Sequence, residues 1–111
     1  MSQMNQVMGR IIATRNLLYA VDGSREKKAF TVCIGEPYLI TKESPDFEFA
    51  AGATACSISF IGVPEKAHVV YGADGVQALE LALSSMAWYL RRLSRKYEFY
   101  FPDSGESYFD D

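Results

Sequence analysis

Residues 75–96 are the one stretch in which apolar side chains recur at helical spacing over many turns, and a helix that apolar must be covered by something. Val76, Leu79, Leu83, Met86, Leu90 and Leu93 step by three and four residues, which predicts that all six share one face. A second set, Ala78, Leu81, Ala82, Trp88 and Tyr89, flanks that stripe, so burial is expected on more than one side, within the fold or across a symmetric dimer. The stripe is short for a coiled coil, and strand patterns precede it, so a small sheet is the expected partner. The entrance to the helix is marked as clearly. Asp74 is suited to accept from the free amides of the first turn, and Gln77 completes a capping box. Gly72 and Gly75 let the chain swing from strand to helix. Free helix amides also bind anions, but Asp74 would repel one, so the segment reads as helix punctuation.

Upstream, the pattern has a period of two. Gly9–Val21 is rich in large apolar residues, Asp22-Gly23 is a tight-turn signal, and Phe30, Val32 and Ile34 then alternate with Ala29, Thr31 and Cys33. "YLIT", between Pro37 and Pro45, suits a short edge strand. Residues 47–63 form the next strand region, with Gly52 as a bend or bulge. Cys56, Ile58 and Phe60 alternate there with Ser57 and Ser59, which predicts one apolar face. "AHVVYG" makes a further strand, and "YEFYF" after the helix another, with Tyr97, Phe99 and Phe101 on one side. The expectation is a single α+β domain over residues 1–111. Its core is an antiparallel β meander of about four to five strands packed on one long C-terminal α-helix, with an acidic aromatic tail at 97–111.

Chemistry is harder to find. Two cysteines inside strand-like runs, Cys33 and Cys56, are expected to act as small buried hydrophobes. With one histidine and no closely spaced ligand pairs, no metal site is expected. No phosphate loop or dinucleotide fingerprint is present, so no cofactor is expected. His68, in an apolar strand pattern, suits a core or surface position better than a catalytic one, and the reading is of a protein that is not an enzyme. No apolar run is long enough to span a bilayer and the N-terminus lacks a signal pattern. A cytoplasmic protein without membrane contact is the expectation.

Charge supplies the remaining clue. The net charge is −3, yet all five residues of ionic charge after Lys96 are acids: Glu98, Asp103, Glu106, Asp110 and Asp111. Just before them Arg91, Arg92, Arg95 and Lys96 close the helix. There they complement the helix dipole or neutralise the tail, with a patch for phosphate or an acidic partner as the alternative. The tail aromatics either dock back on the domain or form a recognition segment for a basic surface. In the second case the partner-binding residues are Glu98, Tyr100, Asp103, Glu106, Tyr108, Phe109, Asp110 and Asp111. Nucleic acid is not an expected partner, because no basic stripe with interleaved aromatics lies outside the helix end.

Tyr71, Gly72, Asp74, Val76, Gln77, Ala78, Leu79, Leu81, Ala82 and Leu83 resemble the strand-to-helix segment of a group of small bacterial domains, and Ile34-Gly35-Glu36-Pro37 is similar to a second element of that group. Some of its members serve as immunity partners of bacterial toxins. The resemblance implies a toxin-neutralising immunity protein and no catalytic residues; the acidic charge suits a toxin domain with a basic cleft as its partner, and the apolar helix leaves monomer and homodimer both open. The alternative is a small ligand-binding domain or enzyme with a pocket between sheet and helix, using His68, Tyr71 or Asp74.

Overall fold

The computed structural model describes residues 9–40 and 52–109. Their element order is β1 (Ile11–Val21), β2 (Lys28–Gly35), β3 (Tyr38–Leu39), β4 (Thr54–Ile61), β5 (His68–Gly72), α1 (Gly75–Leu93) and β6 (Tyr97–Tyr100). The six strands form one antiparallel sheet with a single helix packed on it, an α+β fold. The helix is not C-terminal: β6 follows it and pairs with β1, Tyr19 facing Phe99 and Val21 facing Tyr97.

Asp22-Gly23 makes the predicted turn. Gly23 has φ of 86°, and the Ser24 amide donates to the Val21 carbonyl at 2.7 Å, which returns the chain so that β2 pairs with β1. β2 and β3 then run along the same edge of β4: Ile34 faces Ile58 and, after a one-residue slip around Gly35–Pro37, Tyr38 faces Ala55. β5 occupies the opposite edge, because Ala55 and Ile58 also pair with Tyr71 and His68. β4 is therefore interior, and it is buried on both faces from Thr54 to Phe60. This corrects the expectation of a one-sided strand. Cys56, Ile58 and Phe60 enter the main core, while Ser57 and Ser59 are 2% and 0% exposed on the reverse side. Neither serine hydroxyl has a hydrogen-bond partner among the described residues. The smallness of Ala55, Ser57, Ser59 and Cys33 is what alternation alone does not distinguish from solvent exposure.

The helix corrects a second expectation. Its buried residues are Ala78, Ala82, Met86 and Leu90, spaced by four, whereas Val76 and Leu83 from the predicted stripe are 69% and 45% exposed. Leu79 and Leu93 lie at the margin of the core. The cause is the tightness of the turn from β5. A Cβ added at Gly72 would stand 2.5 Å from the Ala78 amide nitrogen, so strand and helix backbones approach as closely as glycine allows. Only alanines fit the first two turns of that contact, and Met86 and Leu90 take over farther from it. On the other half of the sheet an aromatic cluster fills the space beside the helix. Tyr19 meets Phe30 and Tyr97 edge-on at 5.5 and 5.2 Å, and Phe99 packs on Phe30 at 5.5 Å.

Candidate functional site

Two charged features stand out, and the first is the segment after β6. Phe101–Ser107 is a closed loop: the Phe101 amide donates to the Glu106 carbonyl and the Gly105 amide to the Phe101 carbonyl, each at 2.9 Å. Tyr100 bridges to Ser107, and the Tyr108 amide donates to the Phe99 carbonyl at 2.8 Å. Gly105 supplies the positive φ, 76°, that the reversal needs. The aromatics that follow dock back on the domain. Tyr108 packs on Phe101 and accepts a 2.7 Å hydrogen bond from Arg15 Nη1; Phe109 packs on Phe99, with the Arg91 guanidinium 3.9 Å above its ring.

The residues expected to meet a partner therefore divide. Glu98, Asp103 and Glu106 are exposed, and Glu98 accepts from the Tyr100 hydroxyl at 2.7 Å. Tyr100 also carries Lys27 3.9 Å over its ring. Tyr108 and Phe109 are half-buried and hold the loop in place. Asp110 and Asp111 lie outside the described residues.

The second feature is a cleft of about 530 Å³ between the turn that joins β4 to β5 and the C-terminal end of α1. Glu65, Lys66 and His68 line it from one side, and Tyr89, Arg92, Arg95 and Lys96 from the other. The His68 imidazole stacks on the Tyr89 ring, centroids 3.8 Å apart and planes 11° from parallel, and meets Phe60 edge-on at 6.2 Å. Burial lowers its pKa from the ordinary value, and Lys66 and Arg92 push the same way against the pull of Glu65. Glu65 is engaged twice: Lys96 Nζ stands 2.9 Å away and the Tyr97 hydroxyl donates to it at 2.7 Å. Burial alone would raise that carboxyl, but these two donors outweigh it and hold its pKa below the usual range. Burial and the bond to Glu65 push Tyr97 up to about 12.

The other expected positions are plainer. Asp74 Oδ1 accepts from the Gln77 amide at 2.9 Å, and Gln77 Oε1 accepts from the Ala73 amide at 2.6 Å, so the helix entrance is closed on itself. Tyr71 is half exposed on β5. Cys33 and Cys56 are buried free thiols whose pKa values burial raises. The Ser59 hydroxyl is near enough to oppose the rise at Cys33 without forming a full hydrogen bond. Cys56 Sγ donates to the Gly35 carbonyl at 3.2 Å.

Lys66 and Glu65 were not singled out by their sequence, which reads as an ordinary turn. Geometry contained the signal. The tight turn at Ala73-Asp74 sends the helix back along β5, and its 19 residues reach about 28 Å against about 17 Å for the five of the strand. The helix end must overshoot the strand and arrive beside the preceding turn. No family model matches this chain, and no curated protein or solved structure matches it either.

Proposed function

We propose that this chain is a non-catalytic binding protein that meets a basic protein surface through the acidic loop after β6. Combined with the resemblance of residues 71–83, the concrete form of this reading is a cytoplasmic immunity protein that neutralises a bacterial toxin domain. The observation that carries it is the hold on the loop. Three backbone hydrogen bonds and the Tyr108 clamp keep Asp103 and Glu106 exposed on a fixed frame. A loop ordered before binding gives up less conformational entropy on association. Acids displayed on it steer toward a basic cleft and set orientation there. Tyr108 and Phe109 act in this reading as the frame, and Glu98, Asp103 and Glu106 as the contact.

A catalytic pocket at His68 is the weaker reading. A general base is normally oriented by a carboxylate, and the one beside His68, Glu65, is already committed to Lys96 and Tyr97. The test is a search of the neighbouring genes for a toxin domain with a basic cleft, followed by binding to that domain. Asp103→Lys with Glu106→Lys should weaken binding by about a hundredfold, the size expected for two reversed interfacial charges. Unchanged affinity and unchanged salt dependence would end the loop reading.

A further inference from the structure

We infer that the cleft between the β4–β5 turn and the C-terminal end of α1 is a binding site for a phosphate-bearing small molecule of nucleotide size. The inference concerns a different surface from the acidic loop and does not depend on that loop's partner. Its first support is the charge balance. Lys66, Arg92, Arg95 and Lys96 line the cleft against one carboxylate, Glu65, and Lys96 and Tyr97 already occupy that carboxylate. Lys66, Arg92 and Arg95 have no ion-pair partner among the described residues.

The ordinary explanation for bases at a helix end is that they cap its free carbonyls. Here the capping of those carbonyls is done by others. The Leu90 and Arg91 carbonyls accept from the Ser94 amide, Arg91 also from the Ser94 hydroxyl, Arg92 from the Arg95 amide and Leu93 from the Lys96 amide. The guanidinium groups of Arg92, which also lies 5.4 Å over the Trp88 ring, and of Arg95 are thus not needed as carbonyl caps, and they line the same concave surface as Lys66. Like charges gathered in a cleft with low-dielectric walls repel one another and concentrate a positive field, and a bound anion relieves both.

The chemistry of the walls narrows the ligand. Three cations without an ion-pair partner exceed what a single carboxylate would neutralise, whereas a phosphate or diphosphate carries matching charge, and two guanidinium forks suit its oxygens. The cleft volume of about 530 Å³ lies well above that of a lone oxyanion and within the range of small-molecule pockets. Tyr89, Leu93 and the edge of the His68 ring supply an apolar wall beside the charges, where the organic part of a ligand would rest.

Two native reporters make the test direct. His68 is the one histidine and Trp88 the one tryptophan of the chain, and Trp88 lies 5.4 Å from the Arg92 guanidinium. The full chain is titrated with inorganic pyrophosphate and, separately, with ADP, following the His68 ring proton by NMR and Trp88 fluorescence. Saturable one-to-one binding is expected, with the His68 titration midpoint moving up in pH as the anion offsets Lys66 and Arg92. Lys66→Ala with Arg95→Ala should weaken both ligands at least about tenfold, the loss expected for charged hydrogen bonds. The melting temperature should not fall below that of the parent. Arg91→Ala, which removes a base lying over Phe109 instead, should leave affinity within about twofold. Linear, unsaturated shifts at millimolar pyrophosphate, or equal affinity in the double variant, would overturn the site. ADP binding no tighter than pyrophosphate would overturn the nucleotide-sized ligand, and tighter binding of a single-stranded oligonucleotide would overturn the small-molecule assignment.

Discussion

The bases of residues 91–96 and the acids that begin at Glu98 are neighbours in sequence, yet the two groups work in different places. In the chain they look like charges that cancel. In the structure Arg92, Arg95 and Lys96 line the cleft of His68, whereas Asp103 lines a separate hollow with Arg15 and Asn16, and the two cavities share no residue. Lys96 pairs with Glu65, thirty-one positions upstream, and Arg91 stacks on Phe109. Each base is disposed of by a long-range contact or left over, and proximity in sequence predicts neither outcome. The two regions also differ in how they are held. The loop is fixed by its own backbone hydrogen bonds and one aromatic clamp, the cleft by the packing of the helix on β4 and β5.

That difference can be broken from the helix side first. Leu90 is fully buried one residue before the base run, so Leu90→Ala should cost about 3 kcal/mol and loosen the cleft along with the core. Leu83→Ala, from the stripe that sequence spacing favoured, should cost under about 1 kcal/mol because that side chain is 45% exposed. Leu90 belongs to both stripes and sets the scale in urea unfolding, so Leu83→Ala decides between them; a loss equal to that of Leu90→Ala would restore the stripe read from spacing.

On the loop side the effect should be smaller and more local. Tyr108→Ala removes the contact with Phe101 and the bond from Arg15, at a cost of about 1–2 kcal/mol. Hydrogen exchange at the Gly105 amide should accelerate, while the amides of β4 keep their protection apart from the global change. A uniform loss across the molecule would mean that loop and sheet are one cooperative unit.

The smallest effect lies in pH dependence. Tyr97, raised to about 12 in the fold, contributes stability that is fully present below its ordinary value of 10 and is lost as pH rises toward 12. Glu65 has the opposite sign. Its lowered pKa gives stability present above the ordinary carboxylate value and lost as pH falls through the folded one. Tyr97→Phe should flatten the alkaline fall and leave the cleft cations in place; an unchanged alkaline limb would show that burial and the Glu65 bond do not raise Tyr97.

Much of the fold was legible because it is written in local physics. Asp22-Gly23 marks a turn that glycine alone makes comfortably, Asp74 caps the helix while Gln77 reaches back to the Ala73 amide rather than to that of Asp74, and Phe30, Val32 and Ile34 alternate into one core. What was not legible depends on distance through space. Spacing by three and four cannot reveal that Gly72 brings two backbones so close that alanines, not leucines, must face the sheet. Alternation of serine with apolar residues cannot reveal that β4 is interior. The cleft was invisible for the same reason, since Lys66 meets Arg92 and Arg95 only after the helix has turned back past β5. The loop's acids were conspicuous in sequence, but the role of Tyr108 and Phe109 as its frame follows from where Phe99 and Arg15 stand.

The proposal that the loop and not the cleft engages a protein partner comes down to one comparison of affinities. A toxin domain with a basic cleft, taken from any such gene that neighbours this one, is titrated against the parent chain, the Asp103→Lys/Glu106→Lys variant and the Lys66→Ala/Arg95→Ala variant by calorimetry. Binding is expected to weaken by about a hundredfold with the loop variant and to be retained with the cleft variant. Retention with the loop variant and loss with the cleft variant would contradict the proposal.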